Sequence, residues 1–201
     1  MTRSIATLLF IFSFGVCFCQ ITDTSKVKRS TFDTYKELRK KQAENNIEKL
    51  TYLDSTFNYQ VEVPDWLNVR ETGTAYAFGG TLPPIDGCEN AILVKAFDKE
   101  QYPTLLDFKK FIVEDLVFGK SPQWSDTHKF MGKKELGKYN TLGDAYKVYM
   151  MRGNLMYHCE YVLVETRTAY LWIDYTATKE TFERNFPKFK EFMSGFKLTN
   201  F

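Results

Sequence analysis

The sequence predicts an α+β domain, a mostly antiparallel β-sheet packed by helices. Three features carry that prediction. Several stretches alternate apolar and polar residues with a period of two, the pattern of half-buried strands. Gly153-Asn154 joins two such stretches and is a hairpin signal, because Gly and Asn accept the positive φ of a primed turn. Two other stretches, opening at Thr104 and at Phe182, repeat their apolar residues at three- and four-residue steps, as helices do. Strands, one helix, further strands and a closing helix give an α+β order rather than a βαβ alternation.

The chain opens with an address signal. Arg3 supplies a short basic region, and Ile5–Phe18 is an apolar run too short to span a bilayer comfortably. Cys17-Phe18-Cys19 places small residues at the −3 and −1 positions before Gln20, so residues 1–19 read as a secretory signal peptide. An uncleaved anchor and a lipid-modified Cys17 or Cys19 are the alternatives, and the residues before each cysteine make a poor lipobox. The full chain carries 27 basic and 25 acidic residues; loss of Arg3 leaves a net charge of +1, without the clustered basic footprint that nucleic acid requires. No second run approaches membrane-spanning length. Cys88 and Cys159 remain after cleavage, as two separate thiols or as a disulfide in an oxidising compartment.

Residues 20–51 read as a linker followed by a charged helix over Thr31–Leu50, whose thin apolar stripe is Phe32, Tyr35, Leu38 and Ile47. This helix is either a partner-binding stalk or a solvated element resting on the domain. The domain occupies residues 52–201. Phe57, Tyr59, Val61 and Val63 alternate with polar residues in a strand closed by Pro64, and Leu67–Glu71 and Thr74–Phe78 are short strands. A loop dense in Gly and Pro runs over Gly79–Gly87, and Ala91–Phe97 is a nearly continuous apolar strand interrupted by Lys95. Thr104 is a good N-cap with Asp107 at the capping-box position, and Gly119 ends the helix whose buried stripe is Leu105, Phe108, Phe111, Ile112 and Leu116. Ser121–Thr127 is a loop, with His128 beside it. Lys129–Leu136 is an edge strand, guarded by its lysines.

A three-stranded meander follows: Asp144–Arg152, Leu155–Glu165 and Ala169–Ala177. The Gly153-Asn154 turn sets Met151 opposite Met156, Tyr149 opposite His158, Lys147 opposite Glu160 and Tyr146 opposite Tyr161. One face, with Tyr146, Val148, Met150, Tyr157, Cys159, Tyr161 and Leu163, is a core face; the other, with Lys147, Tyr149, His158, Glu160 and Val162, is mixed. A three-residue connection, Thr166-Arg167-Thr168, brings Asp174 opposite Glu160 and Trp172 opposite Val162. In the last segment Phe182, Phe186, Phe189, Met193 and Phe196 recur at helical spacing, and Pro187 predicts a kink between two short helices ending at Gly195.

Tyr59-Gln60-Val61-Glu62-Val63-Pro64-Asp65-Trp66, the mid-chain helix, the meander and the ending Ser194-Gly195-Phe196-Lys197-Leu198 together resemble the PsbP-like family. That family is an α/β/α sandwich shared by the photosystem II extrinsic protein PsbP, Ran-binding nucleotide-release factors and small bacterial exported proteins. The resemblance covers about Tyr52–Leu198. It departs at Gly195 within the ending and in the charged helix, and it implies accessory or binding proteins with no site residues to carry over.

No G-x-S-x-G, H-E-x-x-H, EF-hand loop or, after residue 19, C-x-x-C occurs, and the Gly79–Gly87 loop matches neither a phosphate-binding loop nor a dinucleotide fingerprint. His128 and His158 alone fall short of a zinc set. The sequence therefore predicts no metal and no cofactor. The candidate ligand-binding constellation is the mixed face, where Lys147, Glu160 and Asp174 form a row with Tyr149, His158 and Trp172 alongside. Two neighbouring carboxylates repel, which raises the pKa of one and suits polar-ligand binding or acid–base work. A helix half-covering the face would instead leave these charges wet at its margin. The functional expectation is an exported, periplasmic or secreted, non-enzymatic binding or accessory module for an unknown protein or small ligand. The alternative is a small hydrolase or isomerase using Glu160 and Asp174.

Overall fold

The computed structural model describes residues 31–45, 47–72, 76–115 and 128–199. The expected leader and linker, the end of the mid-chain helix and the loop before His128 lie outside the described residues. Two antiparallel sheets organise the molecule. Strands β1 (Leu50–Asp54), β2 (Tyr59–Val63) and β10 (Phe196–Leu198) form the smaller one, ordered β1-β2-β10. The larger contains β3 (Asn68–Val69), β4 (Ala77–Thr81), β5 (Ala91–Asp98), β6 (His128–Tyr139), β7 (Gly143–Arg152), β8 (Leu155–Glu165) and β9 (Ala169–Thr178), ordered β3-β4-β5-β9-β8-β7-β6.

Helices lie on both faces of this larger sheet. On one face α3 (Phe182–Ser194), α1 (Thr31–Asn45) and the small sheet enclose the main core, built on Val162, Val164, Leu171, Ile173 and Tyr175. On the other, a short helix, α2 (Leu105–Lys109), continues as a wider π-helical turn over Lys110–Asp115 and packs Phe108, Ile112 and Val113 on Val148, Leu163 and Tyr170. The α+β class holds, with the sheet sandwiched between helical layers.

Local chemistry explains most of the elements. Gly153 turns with φ 58, and the β7–β8 register places Lys147 opposite Glu160, Tyr149 opposite His158 and Tyr146 opposite Tyr161, as the turn predicts. Thr104 Oγ1 accepts the Asp107 N–H at 3.1 Å, capping α2. Strand β6 is an edge with register shifts at Phe130/Gly132 and Glu135/Gly137, and its exposed lysines and bulges discourage further pairing.

Several boundaries differ from expectation. The first helix stops at Asn45, and Phe32, Tyr35 and Leu38 pack on the core, so it rests on the domain. Gly79 and Gly80 belong to β4 rather than to a loop. A Cβ on Gly80 would come within 2.1 Å of the Asn68 carbonyl oxygen, so glycine there permits β3 to pair. His128 opens β6 instead of sitting in a loop. The terminal segment is one helix with Pro187 inside it, not two. Phe182, Phe186 and Phe189 all pack on Tyr175, a continuous apolar contact that offsets the hydrogen bond proline removes. Cys88 and Cys159 are both free thiols.

Phe189 is fully buried and stacks on Tyr175 at 5.1 Å. Phe189→Ala is expected to cost about 3–5 kcal/mol in urea denaturation. Leu106→Ala, at a side chain 74% exposed, should change stability by less than about 0.5 kcal/mol.

Candidate functional site

The second hairpin of the meander decides where the chemistry sits. Thr166 and Ala169 pair directly: the Thr166 N–H donates to the Ala169 carbonyl at 2.9 Å, and Thr166 Oγ1 accepts the Ala169 N–H at 2.9 Å. Thr168 Oγ1 anchors the turn by donating to the Thr56 carbonyl at 2.7 Å. The reversal is thus made within Arg167-Thr168, and Glu165 faces Tyr170. Consequently Asp174 lies opposite Tyr161, not Glu160, and Trp172 opposite Leu163, not Val162. A one-residue slip sends a strand's side chains to the opposite face. The expected row of Lys147, Glu160 and Asp174 does not form.

The six expected site residues therefore divide. Lys147, Tyr149, His158 and Glu160 share the face that carries α3. Lys147 Nζ lies 3.2 Å from Glu183 Oε1 and 4.3 Å from the centre of the Phe182 ring. His158 meets Tyr149 edge-on at 4.9 Å, and burial followed by Lys147 and Lys179 pushes its pKa down. Glu160 is 5% exposed. Burial pushes its carboxyl up to about 7, with Lys147 and Lys190 opposing and Glu183 adding to the shift.

Trp172 and Asp174 occupy the other face. There α2 covers one end of the sheet, and beyond it the strands form the floor of a cavity of about 350 Å³. Strand β5 contributes Leu93 and Lys95, β9 contributes Trp172, Asp174 and Thr176, and β8 contributes Tyr161; Met150, Arg152 and Tyr157 complete the wall. The register accounts for this assembly, since Leu93 pairs with Asp174, Lys95 with Trp172, and Tyr161 with Asp174.

The polar groups at this floor are tightly placed. Thr176 Oγ1 donates to Asp174 Oδ1 at 2.7 Å and lies 3.3 Å from Cys159 Sγ. Lys95 Nζ stands 4.0 Å from the centre of the Trp172 ring, a cation–π distance. Burial pushes the Asp174 carboxyl up, while Lys95 and the Thr176 hydroxyl pull it back. Burial likewise pushes the Lys95 ammonium down, and Asp174 opposes that shift. Tyr161 and Trp172 meet in a T-shaped contact at 4.9 Å and are 1% and 3% exposed. Trp172 Nε1 has no hydrogen-bond partner among the described residues, Tyr161 Oη has the Cys159 thiol acting on it, and both atoms are closed to water. Burial raises the Tyr161 hydroxyl and the Cys159 thiol far above neutrality, so both stay protonated.

Lys95, Tyr161 and Arg152 were not singled out as site residues from sequence. A usable signal existed for two positions. Lys95 is the lone charge within the apolar run Ala91–Phe97, and Asp174 is the lone charge in β9; buried charges in the middle of a sheet need compensation. Among the described residues no group of three or more His, Cys, Asp and Glu side chains is arranged to hold a metal ion.

No family model and no curated protein matches this chain. Several solved structures resemble it in part. Cyanobacterial PsbP (CyanoP) from Synechocystis aligns over 75% of this chain and 92% of its own length, at 9% identity and TM-score 0.49. The Ran-binding protein Mog1p of Saccharomyces cerevisiae aligns over 76% and 96%, at 10% identity and TM-score 0.45. LpqN of Mycobacterium tuberculosis, involved in cell envelope biogenesis, aligns over 87% and 100%, at 11% identity and TM-score 0.46. At these identities and TM-scores the likeness assigns no role to this chain.

Glu160 gives a pH test of the α3 face. Its ordinary pKa is 4.5 and its folded value about 7. Between these the unfolded chain has lost its proton and the folded chain keeps it. Stability is therefore highest below the window, falls as pH rises across it, and levels off above it. Glu160→Gln should flatten this slope and, at about pH 8, be more stable than the parent by roughly 1–2 kcal/mol; urea titrations across the window check it.

Proposed function

We propose that this chain is an exported, non-enzymatic binding module that holds a small ligand in the cavity floored by β5, β9 and β8. One observation carries the reading. A cavity of about 350 Å³ on one face of the sheet presents a lysine, Lys95, and a carboxylate, Asp174, on a wall otherwise made largely of Leu93, Met150, Tyr157, Tyr161 and Trp172. An apolar cavity with a few convergent polar groups and shifted pKa values is the usual form of a small-molecule site.

The hydrolase or isomerase alternative relied on Glu160 and Asp174 acting together, and the sheet itself stands between them. The cavity offers one carboxylate, and the Tyr161 phenol on its wall is held protonated. These features favour binding over turnover. Export is read from Arg3, the apolar run to Phe18 and the Cys17-Phe18-Cys19 site.

Two measurements test the proposal. Expression of the full chain in a bacterial host should yield an exported product whose N-terminus, by mass spectrometry, is Gln20; retention with residues 1–19 in place would overturn the export reading. Ligand-observed NMR against a fragment set should find binders to the wild-type protein that are lost in Leu93→Trp, which fills the cavity. Binders recovered chemically unchanged support the module. Binders indifferent to Leu93→Trp, no binders, or products formed from them would refute it.

A further inference from the structure

We propose that the outer edge of β6 receives an acidic, extended segment of another protein, which joins the larger sheet as its next strand. This surface lies apart from the cavity, and the proposal does not depend on the cavity being a binding site.

The two ends of the larger sheet are finished differently. At one end β3 is two residues long, a short edge that resists unwanted pairing. At the other, β6 runs for 12 residues, and among the described residues nothing pairs with its outer side. The register shifts at Phe130/Gly132 and Glu135/Gly137 leave Met131 and Leu136 as extra residues with no opposite number on β7. Both are large apolar side chains exposed to solvent. Between them, residues 132–135 pair regularly with Tyr149, Val148, Lys147 and Tyr146. The edge therefore offers a straight run of backbone with an apolar side chain at each end.

Charge selects the partner. Four lysines and one glutamate give β6 a net charge of +3, more than the +2 of the whole chain. Lys138 is held by Asp144, but Lys129, Lys133 and Lys134 are exposed and make no ion pair with any described residue. Lys134 also faces Lys147 across the ladder, a like-charge pairing that destabilises the free protein. A second copy would set lysine against lysine, so the charges that guard this edge against its own kind favour a strand of opposite sign.

Geometry favours a strand over an anionic membrane. Lys133 pairs with Val148, which belongs to the core under α2, while Lys134 pairs with Lys147, whose ammonium reaches Glu183 on α3. Directly paired residues point the same way, so the lysines project to both faces of the sheet. A flat surface cannot meet both sets, and lipid would leave the edge backbone without hydrogen-bond partners. An extended chain answers both needs: its main chain completes the ladder, and its side chains alternate between the same two faces.

The probe is a synthetic peptide with a run of glutamates and a leucine at each end, titrated by calorimetry and followed by amide hydrogen exchange of the full chain. It should bind and protect β6 amides while leaving those of β3 unchanged. Glutamine in place of glutamate should weaken binding about tenfold or more, and N-methylation of alternate peptide nitrogens should abolish the protection. Lys133→Glu combined with Lys134→Glu should weaken binding about tenfold or more, yet leave the thermal midpoint unchanged or higher, since residue 134 would then face Lys147 with the opposite charge. Lys40→Glu, on the exposed side of α1, should leave binding unchanged. Lys133→Gln and Lys134→Gln report the same loss of binding should the double variant fail to fold.

Equal binding of the glutamine peptide, equal protection by the N-methylated peptide, or unaltered affinity in the lysine variants would overturn the proposal. So would a dimer that protects β6 without peptide, or phosphatidylglycerol vesicles that bind through the same lysines more tightly than the peptide does. Leu93→Trp, which fills the cavity, should leave peptide binding intact, so the fates of the two sites are read separately.

Discussion

Strand β9 is paired on both edges and buried on both faces, and which of its side chains faces which layer is settled by the closure of a single turn. Thr166 pairs with Ala169 through both its main chain and its hydroxyl. Asp174 and Trp172 are thereby committed to the α2 side, and Ile173 and Tyr175 to the α3 side. The alternative register would bury an aspartate under the phenylalanines of α3 and turn Tyr175 out of the core it shares with Phe182 and Phe189. That exchange is costly on both counts: a charge loses its cation, and a large apolar ring loses its contacts. Main-chain turn chemistry and side-chain burial agree, so the register is unique.

The two faces are finished differently. Helix α3 lays its Phe stripe across one face and tolerates Glu160 at the margin by holding its carboxyl near neutrality. On the other face α2 is short, and its aromatic cluster of Phe97, Tyr102, Phe108 and Tyr170 fills one end. The remaining floor carries a lysine and an aspartate rather than leucine or valine. Apolar residues of similar volume would have closed this region at no desolvation cost. Polar groups kept in such a place lower the stability of the free protein, and that sacrifice is typical of functional positions.

Much of this was legible in the sequence because local chemistry and tertiary packing pointed the same way. Gly153-Asn154 specified the β7–β8 register residue for residue, Thr104 marked the start of α2, and the Phe spacing after Thr181 marked α3. The second hairpin was misread because Thr166-Arg167-Thr168 lacks Gly and Asn, and loop length alone does not reveal that a threonine hydroxyl will take over a ladder bond. Pro187 was weighed as a helix breaker without the tertiary contact that overrides it. Strands β1 and β10 escaped notice because each is short and exists through pairing with β2, a long-range event that propensity does not register.

The same misreading separates the parts of the site that sequence could find from those it could not. Residue types were visible: Trp172, Asp174 and the solitary Lys95 are all unusual in buried strands. Their grouping was not, because grouping follows register, and register lay in the one turn whose chemistry was ambiguous. Lys95 belongs with Asp174 only once β5 is known to pair with β9, so that Leu93 and Asp174 face each other and Lys95 sits on the adjacent diagonal. Each charge alone looks like a packing fault. Placed on one floor, they become a single polar centre in an apolar wall. A lysine and an aspartate retained on the floor of a cavity, where apolar side chains would pack at no desolvation cost, set this region apart from the aromatic core beside it.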